Sequence, residues 1–337
     1  MYKTLSKIIL LLFITVFISC GKEESADNLT YTTDDQFFND GDIEIVFENN
    51  KSNGINVIFL GDIYFQNDLE AENGKYRTHA LSNINYLFNT PPFSEYKEYF
   101  NAYIIYAESK SSKSDDGGLV VETPFGAYVD SDGNLLLENW NPITEYLEKQ
   151  NFDPQNGKNL VLLSVNGKNA KVNGFAVLNG NLAVFGDGNN EIMIHEVGHA
   201  FASLGDEYIR EDYPAYALAN NTANLDSTNN LTSIKWKHFI GLDGYEHVGA
   251  YEGGNYRSTG FWRPEQTSIM GVSYLANSFN TPSREAIVKK IFELHNMEYS
   301  FEDFLKIDEN ANKSSKQLKA KTEIQSLQKF KCATIQF

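Results

Sequence analysis

Two rhythms of apolar residues alternate along the chain. Runs at Ile43 to Phe47, Ile55 to Leu60, Tyr103 to Tyr106, Leu119 to Val121 and Leu160 to Val165 are short and rich in branched and aromatic side chains, and they read as strands. Between them Ala80, Leu81, Ile84, Leu87 and Phe88 fall on one helical face. Ile143, Tyr146 and Leu147 do the same behind Pro142, a residue suited to the first position of a helix. Strands alternating with helices predict an α/β fold with a twisted mixed sheet.

Further along, Phe175 to Leu178 and Leu182 to Phe185 flank Asn179-Gly180-Asn181 and predict a hairpin. A helix is expected from about Glu191. Residues 209 to 282 are rich in Gly, Asn, Tyr and Ser, show little periodicity and predict an irregular segment that shapes a site. Ile287, Ile291 and Leu294 mark a last helix. The folded domain is therefore expected over 43–300, with 301–337 as a loosely attached tail.

The N-terminus has a different pattern. Lys3 and Lys7 precede an apolar run from Ile8 to Ile18, too short for a comfortable membrane span, which ends at Ser19 and Cys20. This predicts an export signal over 1–19 and resembles a lipobox, with Cys20 lipidated, although Phe17 replaces the usual leucine. Gly21-Lys22-Glu23-Glu24 is similar to the surface-export signals of Bacteroidota lipoproteins. Residues 20–42, polar and acidic, then form a tether, and the expected location is the outer membrane of a bacterial envelope, with a surface-exposed domain.

Charge and cysteine usage narrow the chemistry. With 28 basic against 45 acidic residues the chain carries a formal charge of -17, which repels nucleic-acid phosphates and argues against a DNA or RNA partner. Its only cysteines, Cys20 and Cys332, supply neither a disulfide framework nor a thiolate metal cluster. A bound metal would have to use histidine and carboxylate.

Such a set is present in the predicted helix. His195-Glu196-Val197-Gly198-His199 is an H-E-x-x-H motif, rare by chance in a chain with six histidines, on the order of one accidental match per hundred such chains. Four helical residues turn the second histidine about 40° from the first and raise it about 6 Å, so both rings can converge on one Zn²⁺. Glu196 sits beside that position as a candidate base for an attacking water. A third ligand must come from beyond the helix, because a continued helix would carry Asp206 about 10 Å past His199. Gly205 is the expected helix stop. Asp206 then leads as third ligand, with Glu207 as the alternative and His238 and His247 behind it.

These residues resemble the IgA-peptidase-like family of zinc metallopeptidases, relatives of the metzincins, whose helix reads H-E-x-G-H followed by L-x-D-E-Y; here Leu204-Gly205-Asp206-Glu207-Tyr208 follows the helix motif. Val57 to Asp62 is similar to the opening strand and its G-D turn. Tyr99-Phe100-Asn101, Thr123 to Ala127, Tyr251-Glu252-Gly253, Arg263-Pro264, Ser268-Ile269-Met270 and Pro282 to Ala286 match in order, over roughly residues 55 to 290. The resemblance implies a zincin/metzincin-like domain with an active-site helix and a methionine turn at Met270. It also implies zinc on His195, His199 and Asp206, Glu196 as base, and a protein or peptide substrate. Tyr274, four residues past Met270, is a candidate donor to a developing oxyanion.

The chain also departs from its relatives. Ala202 and Gly205 stand where the common metzincin spacing places glycine and the third ligand. Ser268 and Ser283 stand where relatives often carry cysteines. The separate N-terminal β-domain of many relatives has no counterpart, so immunoglobulin cleavage is not implied. The readings that follow are a lipid-anchored zinc endopeptidase, a zinc amidase acting on small or cell-wall peptides, and a surface-binding lipoprotein with a structural zinc. For a peptidase, an edge strand above the metal would bind extended peptide by strand addition.

Overall fold

Strands β2 (Ile55–Asp62) and β8 (Asn159–Val165) are buried along nearly their whole length, as parallel strands covered on both faces must be. Their side chains alternate between two cores. Val57, Phe59, Leu160 and Leu162 face one side, and Ile58, Leu60, Val161 and Leu163 face the other. The computed structural model describes residues 36–49, 53–113, 119–130, 134–137, 139–155, 157–167, 173–177, 180–271, 276–308 and 331–335.

The architecture is mixed α/β. Among the described residues the main sheet has seven strands. β1 (Ile43–Phe47) pairs antiparallel with β3 (Phe100–Ile105). β3, β2, β8 and β10 (Leu182–Gly186) run parallel to one another, while β9 (Asn173–Val177) turns back antiparallel on β10. Helices α1 (Lys75–Phe88), α3 (Asn190–Ala202) and α4 (Thr281–Leu294) contribute to the first core, and α2 (Asn141–Lys149) to the second.

Two segments singled out in the sequence meet at the end of β2. The buried Asp62 carboxylate accepts the backbone N–H of Ala127 at 2.8 Å, which ties the 123–127 loop to the opening strand. Burial pushes its pKa up to about 6, against the pull of those backbone donors.

The structure departs from the sequence reading at three places. Leu119–Glu122 pairs with Lys110–Lys113 in a separate two-stranded sheet instead of joining the main one. The segment from 209 to 282 contains an antiparallel hairpin, β11 (Tyr251–Gly254) and β12 (Arg257–Arg263). It escaped notice because the run from Ser258 to Gly260 is exposed and carries no apolar alternation. The expected tail also begins later than residue 301. Residues 301–308 form a helix that buries Phe304 and Asp308, and β13 (Lys331–Ile335) pairs parallel with β9, covering the edge that was expected to be open. Among the described residues no helix is long and apolar enough to cross a membrane, and the apolar run from Ile8 to Ile18 lies outside them.

The anchor of the 301–308 helix is an ion pair. The Arg284 guanidinium, fully buried on α4, donates from Nε to Asp308 Oδ1 at 2.6 Å and from Nη2 to Oδ2 at 2.9 Å, and its Nη1 donates to the Phe279 carbonyl. Asp308→Ala would leave that cation buried without its counter-charge. The expected loss is about 3–5 kcal/mol of folding stability, measured by urea unfolding. Stability within about 0.5 kcal/mol of wild type would contradict the anchoring role.

Candidate metal centre

Helix α3 starts where Asn189 accepts the backbone N–H groups of Glu191 and Ile192, both at 3.0 Å, a side-chain cap reinforced by acidic Glu191 in the first turn. From Ile192 to Phe201 every residue is buried, so the helix runs through the core with both histidines inside it. It ends at Ser203, not at the expected Gly205. Ser203 takes the left-handed conformation (φ +53°), and the N–H of Leu204 returns to the Gly198 carbonyl. Gly205 has a packing role instead. A Cβ there would stand 2.6 Å from a Leu225 methyl, and its N–H and C=O are both held by the Asn224 side-chain amide.

The early stop returns the chain to the helix. His195 Nε2 and His199 Nε2 lie 3.1 Å apart, with Asp206 Oδ1 at 3.0 Å from the first and 3.1 Å from the second. All three residues are buried, and they could together hold a metal ion. Three donor atoms this close match three ligands each about 2 Å from one cation. The outward nitrogens fix the ring orientations. His195 Nδ1 lies 2.9 Å from the Ile269 carbonyl and His199 Nδ1 lies 2.6 Å from the Leu204 carbonyl. With each Nδ1–H donating to its carbonyl, both Nε2 lone pairs point into the triangle.

The electrostatics agree. Burial alone would raise the Asp206 carboxyl and lower the His199 imidazole, but their mutual attraction overrides it. Asp206 is held well below the usual carboxylate range, and His199 is raised above 6.5. Two imidazole lone pairs and a carboxylate that stays ionised form a set that accepts a cation.

The other expected residues are placed as follows. Glu196 is fully buried, and its Oε1 would be only 2.8 Å from a Cβ on Gly174, so β9 passes directly over this carboxylate because residue 174 has no side chain. Met270 is fully buried, in a turn whose Gly271 N–H bonds to the Ser268 carbonyl, and a Cβ on Gly198 would meet its sulfur at 2.5 Å. The Ser268 hydroxyl accepts the N–H groups of Met270 and Asn280, joining this turn to the start of α4. Glu207 is not part of the triangle. Its Oε1 accepts Asn224 Nδ2 at 2.7 Å and Asn280 Nδ2 at 2.5 Å, and burial pushes its pKa up to about 8. His238 instead pairs with Glu285, and His247 lies against Glu265. Tyr274 and Cys20 lie outside the described residues.

One neighbour of the triangle was missed in the sequence. The Tyr256 hydroxyl donates to Asp206 Oδ2, the second oxygen of that carboxylate. Its signal would have been the Gly253-Gly254-Asn255-Tyr256 run, where two glycines announce an unusual backbone.

The chain matches the sequence model of a family described as IgA Peptidase M64 over residues 43–245 and 240–291, segments that contain the whole triangle, Glu196 and Met270. No curated protein matches it.

The raised His199 gives the sign of the pH dependence. Below its pKa the imidazole holds a proton that must leave before Nε2 can take a cation, so metal affinity should fall as pH drops, starting above pH 6.5. Elemental analysis of the purified protein should find about one divalent metal ion per chain, and chelator competition should show weaker binding at pH 6 than at pH 8. Affinity that stays level from pH 8 to pH 5 would contradict binding through these imidazoles.

Proposed function

The chain belongs to the IgA Peptidase M64 family, and from that premise we propose that it is a zinc-dependent endopeptidase in which Glu196 is the general base. The observation that carries this reading is the buried triangle of His195, His199 and Asp206 beside a buried Glu196 that β9 passes over. Among the described residues the set has three protein ligands, as catalytic zinc sites do, whereas structural zinc sites close with four.

A zinc ion held there supplies Lewis acidity toward a carbonyl oxygen and toward water. The chain's own residues do the rest. Glu196 takes a proton from the attacking water as the new carbon–oxygen bond forms. It then gives that proton to the departing amine as the carbon–nitrogen bond breaks, so one water is consumed and a carboxylate and an amine are released. The Ile269 and Leu204 carbonyls hold both imidazoles in the orientation that binds a cation, and Met270 packs beneath the helix between them.

Glu196→Gln keeps the shape of the side chain but cannot accept a proton. At equal zinc loading, cleavage of a peptide library should fall by roughly 10²-fold or more while the metal stays bound. A zinc-loaded variant as fast as wild type would sink the mechanism.

The same proposal places the enzyme at the bacterial outer membrane through a lipid on Cys20, on the strength of the charged, apolar and Ser19-Cys20 sequence that precedes the tether. Cells supplied with a labelled fatty acid should incorporate it into the wild-type protein and not into Cys20→Ala. Equal labelling of both would contradict the anchor.

A further inference from the structure

The carboxylate of Asp206 has two oxygens, and Oδ1 lies within hydrogen-bond distance of both histidines. Oδ2 is taken by the hydroxyl of Tyr256, a residue with no exposed surface. Asn255 and Tyr256 are the two central residues of the β11–β12 turn, at φ +50° and +65°, the left-handed pair that a two-residue hairpin turn requires. Asparagine takes that conformation readily, whereas for a bulky aromatic residue it is a steric outlier.

The surroundings determine this conformation. The N–H of Asn255 bonds to the Asp206 carbonyl at 2.7 Å, the N–H of Tyr256 to the Tyr208 carbonyl at 3.1 Å, and the N–H of Arg210 to the Tyr256 carbonyl at 3.0 Å. The Asn255 side chain exchanges two hydrogen bonds with the backbone of Tyr216. Rings of Tyr208, Tyr213 and Tyr216 surround the Tyr256 ring at centroid distances of 5.2, 5.7 and 5.5 Å. Glycine at residue 256 would meet the needs of this turn without strain, so the tyrosine there has a side-chain role. The turn between β11 and β12 carries its hydroxyl to one oxygen of one carboxylate.

We propose that Tyr256 is a positioning residue. By donating to Oδ2 it holds Asp206 as a single-oxygen ligand and keeps the second oxygen from swinging into the position that substrate and water need. This inference rests on the reading of the triangle as a zinc site, and it concerns partners outside the ligand set, which orient ligands and tune affinity.

The test is a double-mutant cycle on the full chain, with zinc affinity measured by chelator competition. Tyr256→Phe keeps the ring and removes only the hydroxyl, so it should weaken zinc binding roughly 10- to 100-fold. Asp206→Ala should weaken it further, and adding Tyr256→Phe to Asp206→Ala should change nothing, because the hydroxyl acts through that carboxylate. Wild-type affinity in Tyr256→Phe would overturn the proposal. So would an equal loss in both backgrounds, which would mark a general packing defect whatever the melting temperature of the metal-free variant. A wild-type protein that takes up no zinc would instead overturn the metal reading on which the proposal stands.

Discussion

The convergence of His195 Nε2, His199 Nε2 and Asp206 Oδ1 to about 3 Å of one another in a buried site is the constraint on which the rest of this structure depends. With both Nδ1–H groups donating outward, the three lone pairs repel unless a proton or a metal ion lies between them, and in a buried site that repulsion is weakly screened. The Ile269 and Leu204 carbonyls occupy the outer nitrogens, so the rings cannot relieve the conflict by turning over without losing those bonds. Two protons on the imidazoles could relieve it at low pH. At neutral pH a divalent cation relieves it better, because one ion satisfies all three atoms at once.

Much of the fold supports this geometry. Gly198 lets Met270 pack against the helix one residue before His199, and Gly174 lets β9 lie over Glu196. Ser203 turns the chain in time for Asp206 to reach back, and Gly205 lets the returning strand of chain press against Leu225. The segment from 206 to 210 is then fastened on both sides, by the N–H of Glu207 to the Met270 carbonyl and by the hairpin residues Asn255 and Tyr256. This loop is held because its backbone hydrogen bonds are met by neighbouring segments on either side.

The parts of this arrangement legible in the sequence were those with strong local signals. A four-residue histidine spacing on an apolar helix has one geometric meaning, and the impossibility of a straight helix reaching Asp206 forced a turn. The strand runs of β1, β2 and β8 were visible because apolar, mostly branched residues dominate them. The exact stop was not legible, since nothing local favours Ser203 over Gly205 in a left-handed conformation. The packing of Leu204 and the close approach of Leu225 decide it. The hairpin of β11 and β12 was hidden because its outer surface is polar and exposed. Tyr256 was hidden among 19 tyrosines, since its role depends on a partner 50 residues away.

The central claim is that these three side chains converge on one ion with a coordination position left open. An anomalous-difference map at the zinc edge, from crystals of the zinc-loaded protein, tests it most directly. The account predicts a single strong peak about 2 Å from His195 Nε2, His199 Nε2 and Asp206 Oδ1, with no fourth protein ligand. A peak elsewhere, for example between His238 and Glu285, or one closed by a fourth side chain, would contradict it.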